Sequence, residues 1–244
     1  MFHQPAVLAR GPLNAARGIA CAAALAALAG CGASRLDGVP IGWTGFRDAQ
    51  PMVLPSDPAQ CPDLAGVYRA AGEYRAGDKE PRALADLYGF LALSLQLPGL
   101  RGDGQPEWRP TPRATVAFEP DPGGWRVRAR DGQGGSFGGQ LPALDGAQDR
   151  QALRDGAQAV MPAAVRRHTG CIQGRLWVSV RFDWRQHESE GVLRHVALFR
   201  REAGGLLVSV QRESDSIGML LPWYSNDSAA FQYWFAPAPG ADAR

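Results

Sequence analysis

Leu176-Trp177-Val178-Ser179-Val180-Arg181-Phe182-Asp183-Trp184 is the stretch from which the fold is read. In an extended chain, successive side chains point to opposite faces, so Leu176, Val178, Val180, Phe182 and Trp184 share one side. Trp177, Ser179, Arg181 and Asp183 share the other. That period of two predicts a strand with one buried and one solvated face. A slip of one residue would move all five large apolar groups to water, so the register is strongly specified. Trp177 is the exception, because its parity sets it opposite Phe182 and Trp184. It is expected to line a cavity or to sit under a helix.

The same pattern extends outward. Gly191 to Arg201 and Leu206 to Arg212 read as strands separated by Glu202-Ala203-Gly204-Gly205, a hairpin signal. Phe231, Tyr233 and Phe235 mark a last alternating strand. Upstream, Gly66 opens a first strand, and Val116 and Phe118 alternate with smaller residues before a turn from Pro120 to Gly124. Trp125, Val127 and Ala129 then lie opposite Arg126, Arg128 and Arg130. Leu84, Leu87, Tyr88 and Leu91 recur at helical spacing and predict a helix from Pro81 to Leu93. Residues 131–161 read as Gly-rich and then weakly helical. The expected fold is mainly β: an antiparallel meander forming a sandwich or a barrel, with one or two helices.

At the N-terminus, Arg10 and Arg17 precede an apolar run from Ile19 to Ala29. Basic region, short apolar core and small residues, in that order, make a secretory signal over residues 1–30. Eleven apolar residues are too few to span a bilayer, which needs ~20. The run ends in Leu28-Ala29-Gly30-Cys31, which resembles the bacterial lipobox. That resemblance implies cleavage after Gly30 and a lipid on Cys31, the new N-terminus; an ordinary secretory signal beside a cysteine is the plainer alternative.

Removing residues 1–30 of 244 leaves 214, enough for one domain. Arg10 and Arg17 leave with them, so 26 basic side chains become 24, matching the 24 acids. A neutral exported chain is a poor candidate for nucleic acid. Lys79 is the only lysine. Arginine in its place suits phosphate or carboxylate recognition, and a GC-rich genome explains it equally simply.

Of four cysteines, Cys21 leaves with the signal and Cys31 takes the lipid. Cys61 and Cys171 remain, and in an oxidising compartment a disulfide is expected. Closing a loop of that size is worth ~4.7 kcal/mol in the chain-entropy account. The rival reading is metal ligation with His168, three residues before Cys171, although no second closely spaced pair accompanies them. Residues 31–60, rich in Gly, Pro, Ser and Asp, read as a lipidated N-terminus and flexible tether on which Trp43 and Phe46 can dock back. The β-rich domain is expected over 61–238 and a disordered tail over 239–244.

Three constellations carry chemistry. Gly134-Gly135-Ser136-Phe137-Gly138 matches the nucleophile motif of serine hydrolases in form, with Asp145 or Asp149 and His168 following in suitable order; glycine density explains the match as well. His187 and His195 flank Glu188 and Glu190, which invites a metal, whereas His195 also fits a half-buried core position beside Leu193, Ala197 and Phe199. Arg126, Arg128 and Arg130 suit phosphate groups or a plain solvated face. Neither a catalytic residue nor a metal or cofactor is assigned.

Cys61-Pro62-Asp63-Leu64-Ala65-Gly66-Val67-Tyr68 resembles the opening of small proteobacterial lipoproteins of unassigned function. In these a later cysteine begins a strand with a Gly turn, as in Cys171-Ile172-Gln173-Gly174-Arg175-Leu176. Gly66-Val67-Tyr68 also resembles the Gly-x-Trp opening of lipocalins, which implies a lipocalin-like barrel. The expected function is a lipid-anchored cell-envelope protein acting as a binding or structural module. The alternatives are a carrier of a lipid or other hydrophobic ligand in a lipocalin-like cavity, and a hydrolase using Ser136. Expected partners are the membrane through the anchor, envelope proteins and a hydrophobic small molecule. Gly32 is not the Asp that retains many enterobacterial lipoproteins at the inner membrane, which implies an outer-membrane, periplasm-facing location.

Overall fold

Tight turns organise the chain. Asp37-Gly38, Gln173-Gly174 and Ala203-Gly204 all lie at positive φ, as the two central residues of a type I′ hairpin require. The computed structural model describes residues 34–43, 51–78, 85–100, 107–143, 145–151, 164–186, 188–218 and 223–239. A hairpin, β1 (Ser34–Leu36) and β2 (Val39–Ile41), is followed by β3 (Gly66–Arg69), β4 (Glu73–Gly77) and a short helix, α1 (Leu87–Gly89), that widens into a π-helical turn (Phe90–Ser94). Nine further strands follow among the described residues: β5 (Thr115–Asp121), β6 (Gly124–Arg130), β7 (Ser136–Pro142), β8 (Asp145–Gln151), β9 (Ala164–Ile172), β10 (Arg175–Gln186), β11 (Ser189–Glu202), β12 (Gly205–Gly218) and β13 (Tyr224–Phe235).

Besides the two-stranded β1–β2 hairpin, two larger antiparallel sheets form among the described residues. One has seven strands in the order β4-β13-β12-β11-β10-β9-β8, the other four in the order β3-β5-β6-β7. They do not close into a barrel; the arrangement is sandwich-like. One corner is shared where the chain beyond β13 runs beside β3, Arg69 N donating to Ala236 O and Ala238 N to Val67 O, both at 2.8 Å. Between the sheets Leu87, Phe90, Leu91 and Leu95 fill the core against Val116, Phe118, Val127, Val178 and Phe199.

Of the helix expected from Pro81 to Leu93, residues 81–84 lie outside the described residues, and the described helix begins at Leu87. Asp86 is extended (φ −104°, ψ 116°) and its carboxylate accepts from Gly89 N at 2.6 Å, an N-cap that fixes the start. Where a Gly-rich and then helical segment was expected, residues 136–142 and 145–151 are the strands β7 and β8; residues 152–163 lie outside the described residues.

Leu176, Val178 and Val180 are buried on the inner face of β10 as read from the sequence, while Phe182 and Trp184 are only half-buried. Strands of 12–14 residues outrun the seven-residue strands facing them, so the far end of the inner face is less covered.

The face expected in solvent is covered too. Leu36, Val39, Ile41, Met52 and Leu54 pack on Trp177, Val196 and Leu198 as a second apolar cluster. Trp177 therefore sits under the N-terminal hairpin, neither at a cavity nor under the helix, and its Nε1 donates to Pro55 O at 3.2 Å. It lies across Gly170 of β9, where a Cβ would come 2.6 Å from the indole. Of the expected tether, residues 34–43 and 51–60 are thus layered against the sheet. Trp43 packs there and Phe46 lies outside the described residues.

Candidate functional site

Cys61 and Cys171 form a disulfide with Cα atoms 4.8 Å apart, so neither thiol is open to a metal. Cys171 is fully buried on the inner face of β9. Beyond the first residue of β8, Asp145, which pairs with Thr169, residues 56 and 57 continue the edge: Ser56 Oγ accepts from Cys171 N at 3.0 Å and Asp57 N donates to Cys171 O at 2.8 Å. The bond thereby fastens the chain where it turns from the outer apolar layer towards β3.

The sequence-derived constellations are taken apart by the fold. Ser136 is exposed at the start of β7, paired with Arg130. The preceding glycines form a turn around Asp131, whose carboxylate accepts from Gln133 N and Gly135 N at 2.7 and 2.9 Å. No strand-to-helix elbow exists there. His168 is on the other sheet, opposite Ser179 and on the face turned away from the core, and Asp145 and Asp149 lie on its edge strand β8. His187 lies outside the described residues; Glu188 is exposed. Glu190 and His195 point to opposite faces of β11 by parity. Among the described residues no three His, Cys, Asp or Glu side chains gather as a metal set would need.

His195 is in the core, in an inner-face row with Arg167, Val180 and Arg212. Both ring nitrogens lack a hydrogen-bond partner. Burial, with the Arg212 charge adding to it, lowers its pKa to about 3, so the imidazole is neutral at every ordinary pH.

Arg126, Arg128 and Arg130 project together from the outer face of β6. Arg126 pairs with Asp121 at 2.8 Å and Arg128 with Glu119 at 3.3 Å, both acids from β5. Arg126 and Arg128 border an open depression of about 340 Å³ beside Gly138 and Gly139. With two of the three cations answered by neighbouring acids, this row is a balanced surface.

A larger depression, about 540 Å³, lies on the outer face of the seven-stranded sheet between the β1–β2 tip, β4 and the β11–β12 turn. Trp234 is its apolar wall, with the Arg75 guanidinium 4.8 Å from the ring centroid. Trp234 Nε1 donates to Glu202 O at 2.9 Å, and Gln232 Nε2 donates to Ser209 Oγ at 2.9 Å. Asp37, at the hairpin tip, accepts from Arg175 Nε at 2.7 Å and Arg200 Nε at 2.8 Å. Burial would raise the Asp37 carboxyl, but the two guanidinium bonds outweigh it and hold it below its usual range. Arg200 also pairs with Glu202 at 2.5 Å; burial lowers its pKa and these two acids more than restore it.

Every acid in this wall is bonded to arginine, so none is poised as a general base, and no nucleophile is among the lining residues. The indole face is already covered by the Arg75 guanidinium, so the depression is a polar surface with its charges paired. The positions are scattered from 37 to 234 in the chain. None of them was singled out from the sequence; the parity of Trp234, opposite Tyr233 and Phe235, is the signal that could have marked one. No protein family, curated protein or solved structure matches this chain.

Proposed function

We propose that this chain is a lipid-anchored protein of the bacterial cell envelope, on the outer membrane and facing the periplasm, whose folded domain is a binding or structural module. The observation that carries the reading is the order basic region, apolar run, Leu28-Ala29-Gly30-Cys31, which resembles a lipobox. The Cys61–Cys171 bond fits the oxidising compartment that such an anchor implies.

A binding role is favoured over catalysis by the depression at Trp234, whose charges are paired and which holds no nucleophile. It is favoured over a hydrophobic carrier by the space between the sheets, where Leu87, Phe90 and Leu91 are packed against both. The test is a Cys31→Ser variant of the full precursor expressed in cells fed a radiolabelled fatty acid. Loss of label and release from the membrane fraction are expected; unchanged label and retention contradict the anchor.

A further inference from the structure

The β12–β13 hairpin has a polar stem and an aromatic tip. Glu213, Ser214, Asp215 and Ser216 pair with Ser228, Asp227, Asn226 and Ser225, and residues 224–228 are all exposed. Asp215 ties the stem together, its Oδ1 accepting from Tyr224 Oη and Asn226 Nδ2, both at 2.6 Å. At the tip, Gly218 N donates to Trp223 O at 3.0 Å, and Trp223 and Tyr224 are 46% and 63% exposed. In sequence, the connection between these strands reads Met219-Leu220-Leu221-Pro222, without a charge. A stem this polar has no core to offer the two rings, so their apolar surface is turned outward on a braced support.

The open end of the N-terminal hairpin faces the same end of the sheet. Ser34 Oγ is hydrogen-bonded to the Gln211 side chain at 2.9 Å, whereas the tip residue Asp37 reaches Arg200, the partner of Leu207. The hairpin thus runs from the level of Gln211 towards that of Leu207, and its open end faces the level of Ile217 and Tyr224. Trp43, just beyond β2, lies over Arg194, the partner of Glu213, further in that direction. Only three peptide steps separate Cys31 from Ser34, a reach of at most about 11 Å.

We infer that Trp223 and Tyr224 sit at the lipid–water boundary of the membrane that holds the Cys31 lipid, so that the domain meets the bilayer at two points. The inference rests on the lipid-anchor reading. Indole and phenol rings favour that boundary because one edge is polar and the body apolar. A chain too short to act as a long tether keeps this end of the sheet beside the headgroups.

The test uses the full mature lipoprotein purified from membranes and reconstituted into phosphatidylethanolamine/phosphatidylglycerol vesicles, with or without acyl-brominated lipid. Intact mass reads the anchor, and tryptophan fluorescence reads the contact. Bromine quenching of the wild-type protein that falls by at least half in Trp223→Phe is the expected result; Phe at an exposed tip leaves the fold intact, checked by circular dichroism. Equal quenching in acylated wild-type and variant proteins overturns the second contact while leaving the anchor standing. A blue-shifted Trp223 signal that bromine does not quench overturns it in favour of a protein neighbour. An unacylated Cys31 overturns the anchor, and the inference with it.

Discussion

At the scale of single residues, His195 and the disulfide make the fold sensitive to different conditions. The folded His195 pKa, about 3 against a usual 6.5, lies below the unfolded one. Above pH 6.5 both states are neutral there and folding is unaffected. As pH falls from 6.5 towards 3, the unfolded chain takes a proton that the core refuses, and stability drops by about 1.4 kcal/mol per pH unit. Urea melts at pH 7, 5.5 and 4.5 should therefore show a shallower acid loss in His195→Leu than in the wild type; identical slopes would remove the buried imidazole from the account. Asp37 works in the same direction at the surface, since its lowered pKa means that acid weakens its clamp on Arg175 and Arg200. The Cys61–Cys171 bond is indifferent to pH and sensitive to reductant. Cys171→Ala, paired with Cys61→Ala, should lower unfolding free energy by about 3–5 kcal/mol, read by urea titration against the oxidised protein.

At the scale of elements, the inward face of β10 was legible because its alternation is strict, and β5, β6, β11, β12 and β13 followed from the same period. Burial along that face is graded, however, and nothing in the pattern marks the gradient. Phe199→Ala, in the fully covered part of the core, should cost about 3–5 kcal/mol. Phe182→Ala, half-buried beside His195, should cost clearly less; an equal loss would mean that the sheet end is better covered than described. The outer face misled for a different reason. Arg181 and Asp183 read as solvated, yet Arg181 is 4% exposed, its Nε bonded to Asp183 at 2.8 Å. Arg194 is likewise buried with Asp215 and Glu213. A polar residue that the fold buries with an ionic partner is indistinguishable, in one strand's pattern, from one facing water.

At the scale of the whole molecule, the boundary between tether and domain was the least legible feature. Gly, Pro and Ser made residues 31–60 read as linker, whereas Leu36, Val39, Ile41, Met52 and Leu54 are too dispersed to show a period. Their apolar surface finds Trp177 and Leu198 only once the sheet exists. Trp177→Ala should loosen this layer, and limited proteolysis should then cut within residues 34–60 faster than in the wild type while the two-sheet core persists. The same layering left the Trp234 depression hidden, since it needs the hairpin tip, β4 and the β11–β12 turn together.

We propose that this sandwich is held to a membrane at Cys31, a few residues from its outermost layer. The most direct measurement is mass spectrometry of the N-terminal peptide from protein purified out of native membranes. The expected result is a mature chain that starts at Cys31 and carries the mass of thioether-linked diacylglycerol, with no peptide from residues 1–30. An unmodified Cys31, or a mature chain that retains residues before it, would contradict it.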